Sequence, residues 1–414
     1  MGVFKVVNKR KFYTNIIIAL LGLVISCVIY YCKNVKIESD YYTPTILATH
    51  DSGEHFVGSV SCRECHADVY ESHIETAHFK TSGIADSQNI KGSFKEGENT
   101  LDLNDVTFNM LSKGDSFFQH TKIKNRSIEI LPSKFDIVIG SGIRGQTYLS
   151  WRKDELFQLQ ASYYTPTNSW VNSPGFPSYS VERPIRDACL KCHLTYAKNS
   201  ENTPKGNRFD RGQMIYGIDC ERCHGPSAKH VAYQRENPKA LEGKFVVKMD
   251  TLLRQQRLDL CAQCHSGLRG VLLKGNAFSY LPGDDLSKHS QNLDNGNLNE
   301  KLDVHGNQYG LLVKSKCFKE TDVMDCNTCH NPHKKERGNV NDFNLKCIGC
   351  HDGKTTTCKV DKTEADHTGN NCVKCHMPTT PSTVMMVQLP KDSLETSFNI
   401  RTHLIDIYAK ELWR

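Results

Sequence analysis

Seven times along 414 residues, two cysteines stand three apart with a histidine directly after the second. The copies are Cys62, Cys65 and His66; Cys189, Cys192 and His193; Cys220, Cys223 and His224; and Cys261, Cys264 and His265. Cys326, Cys329 and His330; Cys347, Cys350 and His351; and Cys372, Cys375 and His376 complete the set. Chance, at this cysteine and histidine content, gives about 0.03 matches in the whole chain. Two thiols separated by two residues on a helical turn can add across the two vinyl groups of one porphyrin. The next imidazole then meets the iron as its proximal ligand. The motif therefore predicts covalent haem c, seven copies, with iron as the metal. Zinc sites also use Cys-X-X-Cys, but they need two pairs per ion and no histidine at that position. Thioredoxin-like redox use needs a different context.

What the irons can do depends on their other face. A haem with histidine on both sides is coordinatively full and passes electrons; an open side admits a substrate. Outside the motifs stand eleven histidines: His50, His55, His73, His78, His120, His230, His289, His305, His333, His367 and His403. Seven bis-histidine haems need seven of them, so a pure electron carrier is permitted. Methionine is the other common soft ligand, and the chain has eight, but a lone methionine is usually core. His78, His230, His333 and His367 lie close to motifs in sequence. A histidine that near its own proximal ligand rarely reaches around the same ring, so these are expected to serve neighbouring haems. For His50, His55, His120 and His289 an ordinary surface or core role is the favoured reading.

Composition agrees with haem as the core. Hydrophobic residues make up 38% of the chain and the mean hydropathy is −0.50, below the roughly 45–50% apolar content of ordinary domains. Net charge is +6. Lysine and arginine are scattered without an aromatic-interleaved stripe, which predicts no nucleic-acid partner. They are suitable counter-charges for haem propionates.

The amino terminus predicts export. Lys5, Lys9, Arg10 and Lys11 precede an apolar run from Ile16 to Tyr31, a positive region followed by a hydrophobic one. The expected location is the bacterial cell envelope, facing the periplasm from an inner-membrane anchor. Lipidation at Cys27, in Leu23-Val24-Ile25-Ser26-Cys27, and cleavage of the leader are the alternatives.

Motif spacing suggests the organisation: a membrane anchor or signal at 1–33, a linker at 34–57, a first haem segment at 58–93, a β-rich insert at 94–183, and a body with six haem motifs at 184–414. The insert lacks cysteine. Ser127–Leu131 and Phe135–Ile139 read as strands broken at Pro132 and Ser133. Thr147–Trp151 and Leu156–Leu159 flank a polar turn at Arg152–Glu155 and read as a hairpin. Around Tyr233–Glu236 and Asp250–Leu260 the pattern is helical. The predicted fold class is a multihaem cytochrome c of mostly short α-helices and loops around covalent haems, with an inserted small β-rich module.

Phe56-Val57-Gly58-Ser59-Val60 before Cys62, followed by Tyr70-Glu71-Ser72 and His78, resembles the opening of multihaem cytochromes of the cytochrome c-554 type. Cys220-Glu221-Arg222-Cys223-His224-Gly225-Pro226 with His230 is similar to a further stretch of those proteins. Asp303–Gln308, Ser315–Phe318, Cys326–His333, Cys372–Pro378 and Arg401–Ile405 resemble a related group of exported multihaem cytochromes. The resemblance covers most of residues 56–405, and the chain departs from it in its motif number and its β module. It implies that His78, His230, His305, His333, His367 and His403 are distal ligands. The leading expectation is electron transfer between other exported or membrane redox proteins through bis-histidine haems. The alternative is an oxidoreductase with one open haem acting on a small nitrogen or sulfur compound. Cys317 and Cys358, outside the motifs, could form a disulfide.

Overall fold

The structure is a computed structural model that describes residues 13, 17–27, 46–124, 128–201, 203, 205–292, 302–351, 371–390, 392 and 394–412. The chain divides into a unit at Met1–Thr45 and a main unit at Ile46–Arg414. In the first unit residues 17–27 are helical and exposed, Cys27 among them. No helix among the described residues is long and apolar enough to cross a membrane. At 1.5 Å per residue, the described stretch reaches about half of the roughly 30 Å hydrocarbon layer.

The main unit corrects the expected fold class. It is rich in β-sheet, with about 27% of the described residues in strands. In chain order the strands are β1 (Ala48–Thr49), β2 (His55–Phe56), β3 (Ser82–Ile84), β4 (Thr100–Asp102), β5 (Val106–Lys113), β6 (Ser116–Ile123), β7 (Ile128–Lys134) and β8 (Ile137–Ile139). There follow β9 (Gly145–Arg152), β10 (Glu155–Gln158), β11 (Ala161–Tyr164), β12 (Ser169–Asn172) and β13 (Arg183–Pro184). Among the later motifs lie β14 (Leu194–Asn199), β15 (Phe209–Tyr216), β16 (Val271–Leu272), β17 (Ser290–Gln291), β18 (Thr379–Gln388) and β19 (Glu395–Arg401). Strands thus run among the motifs as well as in the insert. A two-residue pleat serves where one face packs on apolar side chains and the other looks outward.

A nine-stranded sheet has the path β13-β10-β9-β11-β12-β18-β19, with β8 joining β9 to β3. A separate four-stranded sheet runs β4-β5-β6-β7. The hairpin expected around Arg152–Glu155 is β9 and β10, with Trp151 opposite Leu156 and Lys153 at positive φ in the turn. Pro132 does not break its strand; β7 runs through it. As an edge strand β7 can spare one ladder donor, which is where proline is tolerated. The described chain leaves the strand at Phe135–Asp136 instead.

The hydrocarbon core is concentrated in this β region. Leu101, Phe108, Met110, Phe135, Tyr148 and Trp170 form its centre. Trp170 closes on Gly92, where an added Cβ would lie 2.2 Å from the indole ring. Between residues 287 and 386, only Val304 and Leu311 are buried hydrophobics among the described residues. Ordinary side-chain packing therefore fades where the last three motifs stand.

Candidate functional site

Short helices present most of the motifs. Cys62 lies in the helix Ser59–Arg63, Cys189 in Asp187–Leu190, and the third motif fills the helix Cys220–His224. The fourth ends the longer helix Arg254–His265, which extends the helix expected at 250–260 through the motif itself. Cys326 opens a 3-10 turn, Cys347 lies in Val340–Ile348, and the last motif is the helix Cys372–His376. Acidic and amide caps start several of them. Asp219 accepts from the Cys220 amide at 2.7 Å, Asp325 from the Asn327 and Thr328 amides, and Asn371 from the Lys374 amide at 3.0 Å. The amides of His66, His330 and His351 each donate to the carbonyl of the first cysteine at 2.9 Å, one helical turn back. The three-residue cysteine spacing thus falls within a single turn.

Five of the motif histidines are oriented through Nδ1. His193 Nδ1 meets Thr81 Oγ1 at 2.9 Å, His224 Nδ1 the Val247 carbonyl at 2.8 Å, and His265 Nδ1 the Gln308 side-chain oxygen at 3.1 Å. His330 Nδ1 meets Glu336 at 3.3 Å, and His376 Nδ1 the Asp406 carbonyl at 2.9 Å. An acceptor at Nδ1 fixes the proton there and leaves the Nε2 lone pair for a metal. His230, outside the motifs, has the same arrangement, with Nδ1 at 2.8 Å from the Lys244 carbonyl.

Two imidazoles on opposite sides of one metal, each bonded at about 2 Å, have ring centres roughly 6 Å apart. Three of the expected distal histidines stand at that separation from a motif histidine. His78 is 6.2 Å from His265, His333 is 6.1 Å from His224, and His403 is 6.2 Å from His330. A fourth, His305, neighbours His193 closely enough to depress its titration. Burial, then the facing histidine, pushes His78 and His403 down to about 4, and the same pair of causes pushes His193 there. His333 and His305 are also lowered, chiefly by burial. Each is held neutral, the form that binds metal. His230 lies on the helix Ala228–Glu236, whose Arg235 grips Glu64 of the first motif at 2.8 Å. His367 and Cys358 lie outside the described residues, and Cys317 is a free thiol.

His73 stands 6.2 Å from His333 yet differs in kind. Its Nδ1 and Nε2 both face backbone oxygens, of Pro332 and Ile218, at 3.2 and 3.0 Å. His50 spends both nitrogens on Ser52 and the Phe278 carbonyl. His289 meets Asp284 through Nε2 and packs on Tyr280. His55 bonds Thr49 through Nδ1, and His120 sits on β6 opposite Asn109 of β5.

Cysteines of different motifs meet. Cys220 neighbours Cys62, Cys192 neighbours Cys264, Cys261 neighbours Cys326, and Cys347 neighbours Cys372. Cys223 neighbours Cys264, and Cys329 neighbours Cys350. No cluster of three or more His, Cys, Asp or Glu among the described residues is placed to hold a single ion. The thiols are therefore not grouped as zinc sites are. The histidine pairs, with ring centres 6.1 to 6.2 Å apart, have the spacing of two imidazoles on opposite sides of one metal. When bound, haem would supply a one-electron iron couple; the cysteines would hold its edge and the histidines its iron.

Sequence reasoning missed the clamp between the first and third motifs. Glu221 is buried and accepts from the backbone amides of Val57 at 3.1 Å, Gly58 at 2.7 Å and Ser227 at 2.8 Å. Asp219 accepts from the Ser59 amide at 3.0 Å. Two carboxylates flanking Cys220 thus anchor the start of the first haem helix, and Glu221 also anchors the start of the His230 helix. The only sequence signal was an acidic residue inside a motif whose middle positions are otherwise free. A second tie joins the fourth and fifth motifs: Arg257 pairs with Asp325, and Arg254 donates to the Met324 carbonyl at 2.7 Å.

This constellation defines a class, and the comparisons agree with it. Residues 148–225, spanning the second and third motifs, match the family model described as cytochrome c554 and c-prime. Multiheme cytochrome MtrA of Shewanella baltica (strain OS185) is 26% identical over 203 residues, 46% of this chain and 52% of that protein. The chain spans about half the length of this curated relative. The crystal structure of outer cell wall cytochrome OcwA shares the fold with a TM-score of 0.54 at 18% identity, covering 84% of this chain and 79% of that one. The chain is a multihaem c-type cytochrome.

Proposed function

We propose that the chain is an exported heptahaem cytochrome that passes electrons between other redox proteins of the cell envelope. The cysteine contacts between motifs carry this reading. With haem bound, these sulfurs would hold porphyrin edges as thioethers, so neighbouring sulfurs would bring neighbouring edges close. The contacts support one continuous run, first motif to third, fourth, fifth, sixth and seventh, with the second beside the fourth. The protein's part is to fix distance and orientation through the clamps at Glu221 and Arg257.

The proximal ligands in this proposal are His66, His193, His224, His265, His330, His351 and His376. The distal partners are His230, His305, His333, His78 and His403 for the first five in that order, with His367 at the C-terminal end. Interleaving supports the assignment: each distal histidine comes from a different segment than the motif it faces, so ligation would staple the chain across long sequence separations. The amino-terminal segment directs export and holds the protein at the inner membrane, as its positive and apolar regions suggest.

Intact mass of the purified protein tests the haem count, and reductive titration tests the run. Seven haems per chain, all reduced by one electron each and all reoxidised by a protein-sized acceptor, are expected. Removing both cysteines of the fourth motif should leave part of the remaining haem slow to reoxidise. Uniform, undiminished kinetics in that variant would refute the continuous run. Fractionation tests the anchor: full-length protein in the soluble periplasmic fraction would refute it.

A further inference from the structure

A cavity closes between the second, third and fourth motifs. Its volume is about 10 Å³, enough for the centre of one water molecule. Lys191, Arg222 and Gln263 line it, each standing directly before the second cysteine of its motif. Tyr280 and His289 reach it from the segment that follows the fourth motif. All five are buried. Four atoms in this lining have no hydrogen-bond partner among the described residues: Arg222 Nε, Gln263 Oε1, Tyr280 Oη and His289 Nδ1. Together they are complementary to water. Arg222 Nε–H and the Tyr280 hydroxyl donate. Gln263 Oε1 accepts, since the amide nitrogen is spent on the Leu260 carbonyl at 2.9 Å. His289 Nδ1 also accepts, because Nε2 carries the proton that meets Asp284 at 3.1 Å. One water has the two hydrogens and two lone pairs that these four atoms call for.

We propose that this cavity binds one water molecule and that His289, joined through it to the third and fourth motifs, takes up a proton when the neighbouring haems are reduced. This rests on the electron-transfer reading and deepens it. The electron comes from the reductant and the proton from bulk water. One iron passes from ferric to ferrous, and His289 Nδ1 gains an N–H bond. The cavity water then accepts from Nδ1 instead of donating to it, and the Tyr280 hydroxyl can turn to accept in exchange. Nε2–H stays on Asp284, whose side chain is 45% exposed and links the ring to solvent. Charge decides when the proton arrives. Lys191 and Arg222 face the cavity with their own hydrogen bonds on the carbonyls of Arg269, Thr195 and Lys191, and they oppose a further cation. Lys274 opposes it too, while Asp284 and Asp285 favour it, and Asp259 stands beside Tyr280. Burial holds His289 below the usual imidazole range against the pull of Asp284, so the oxidised protein keeps the ring neutral. Cys192, Cys223 and Cys264 follow the three motif residues of the lining, so electrons on their haems would arrive beside this wall. An electron about 10 Å from an imidazole raises its proton affinity roughly tenfold.

The test uses the full haem-loaded chain, reduced stepwise in weak buffer while a pH indicator follows proton uptake from acid to alkaline pH. Wild type should take up more protons than His289→Gln, the difference approaching one per chain. Reduced-minus-oxidised infrared spectra of protein with ring-labelled histidine should show an imidazolium band that the variant lacks. Asp284→Asn, at the exposed end, removes the partner of the imidazolium and should move the uptake to lower pH; it carries the test if His289→Gln does not fold. Equal uptake by wild type and His289→Gln at every pH, or an uptake unmoved in Asp284→Asn, overturns the proton site. A crystal structure of the loaded protein with an ion, or nothing, among Arg222, Gln263, Tyr280 and His289 overturns the water. Haems that take electrons from no reductant, or pass none to a protein acceptor, refute the electron-transfer reading whatever the proton count.

Discussion

Removing Glu221 should cost stability through three orphaned backbone amides, and the loss should depend on pH in a defined direction. In Glu221→Ala the Val57, Gly58 and Ser227 amides lose their acceptor in a buried place. Each unsatisfied buried amide costs about 1–3 kcal/mol, so three cost roughly 6 kcal/mol. Against that stands the penalty of the carboxylate itself. Burial raises the Glu221 pKa from 4.5 to about 7 despite those amides, which lower it. Above that pH the ionised group costs roughly 3 kcal/mol, at about 1.4 kcal/mol per pKa unit. The net loss near pH 7.5 is about 3 kcal/mol. Because the folded pKa lies above the unfolded one, the folded state holds a proton that the unfolded state releases between pH 4.5 and 7. The contribution of Glu221 to stability is therefore largest below 4.5 and declines as pH rises through 7. The gap between wild type and variant should widen as pH falls from 7.5 to 5. Guanidinium unfolding of the haem-loaded proteins, followed by loss of low-spin haem absorption, measures both quantities. A variant with an unchanged midpoint at pH 7.5, or a gap that narrows in acid, would refute the clamp.

His333→Ala should convert one haem to high spin, whereas His73→Gln, at the same ring distance but with both nitrogens on carbonyls, should leave the haem spectrum unaltered; equal effects in EPR would defeat the distinction. Gly217 has φ +69° and a Cβ there would meet the Phe79 carbonyl at 2.2 Å, beside His78, whose carbonyl accepts from Ile218 at 2.9 Å. Gly217→Ala should therefore cost at least about 1–3 kcal/mol in backbone strain and raise the high-spin fraction, as thermal unfolding and visible spectra would report. Arg257→Ala strips Asp325, 7% exposed, of its cationic partner while the Asn327 and Thr328 amides remain on it. A loss of about 2 kcal/mol, below that of a fully buried pair, is expected in guanidinium unfolding, and no loss would show that the pair does not bind the two motifs together.

The sequence by itself determined the chemistry. Cys-X-X-Cys-His is a local arrangement, satisfied within one helical turn, so it needs no fold to be read. The Arg152–Glu155 hairpin was legible for the same reason, since adjacent alternating segments and a polar turn carry their own register. The amount of β-structure was not, because β12 to β18 pairing joins Asn172 to Gln388 and no local pattern announces it. Pro132 misled because its tolerance depends on β7 being an edge, which is a property of the sheet. The distal histidines were only partly legible: the sequence set His333 apart from His73 but not which motif it faces, and only the tertiary structure leaves it beside His224 while His73 meets two carbonyls. Glu221 was invisible for a related reason, its three donors coming from residues 57, 58 and 227. Covalent attachment is written in spacing along the chain, whereas ligation, clamping and adjacency are contacts across it, which only the folded chain decides.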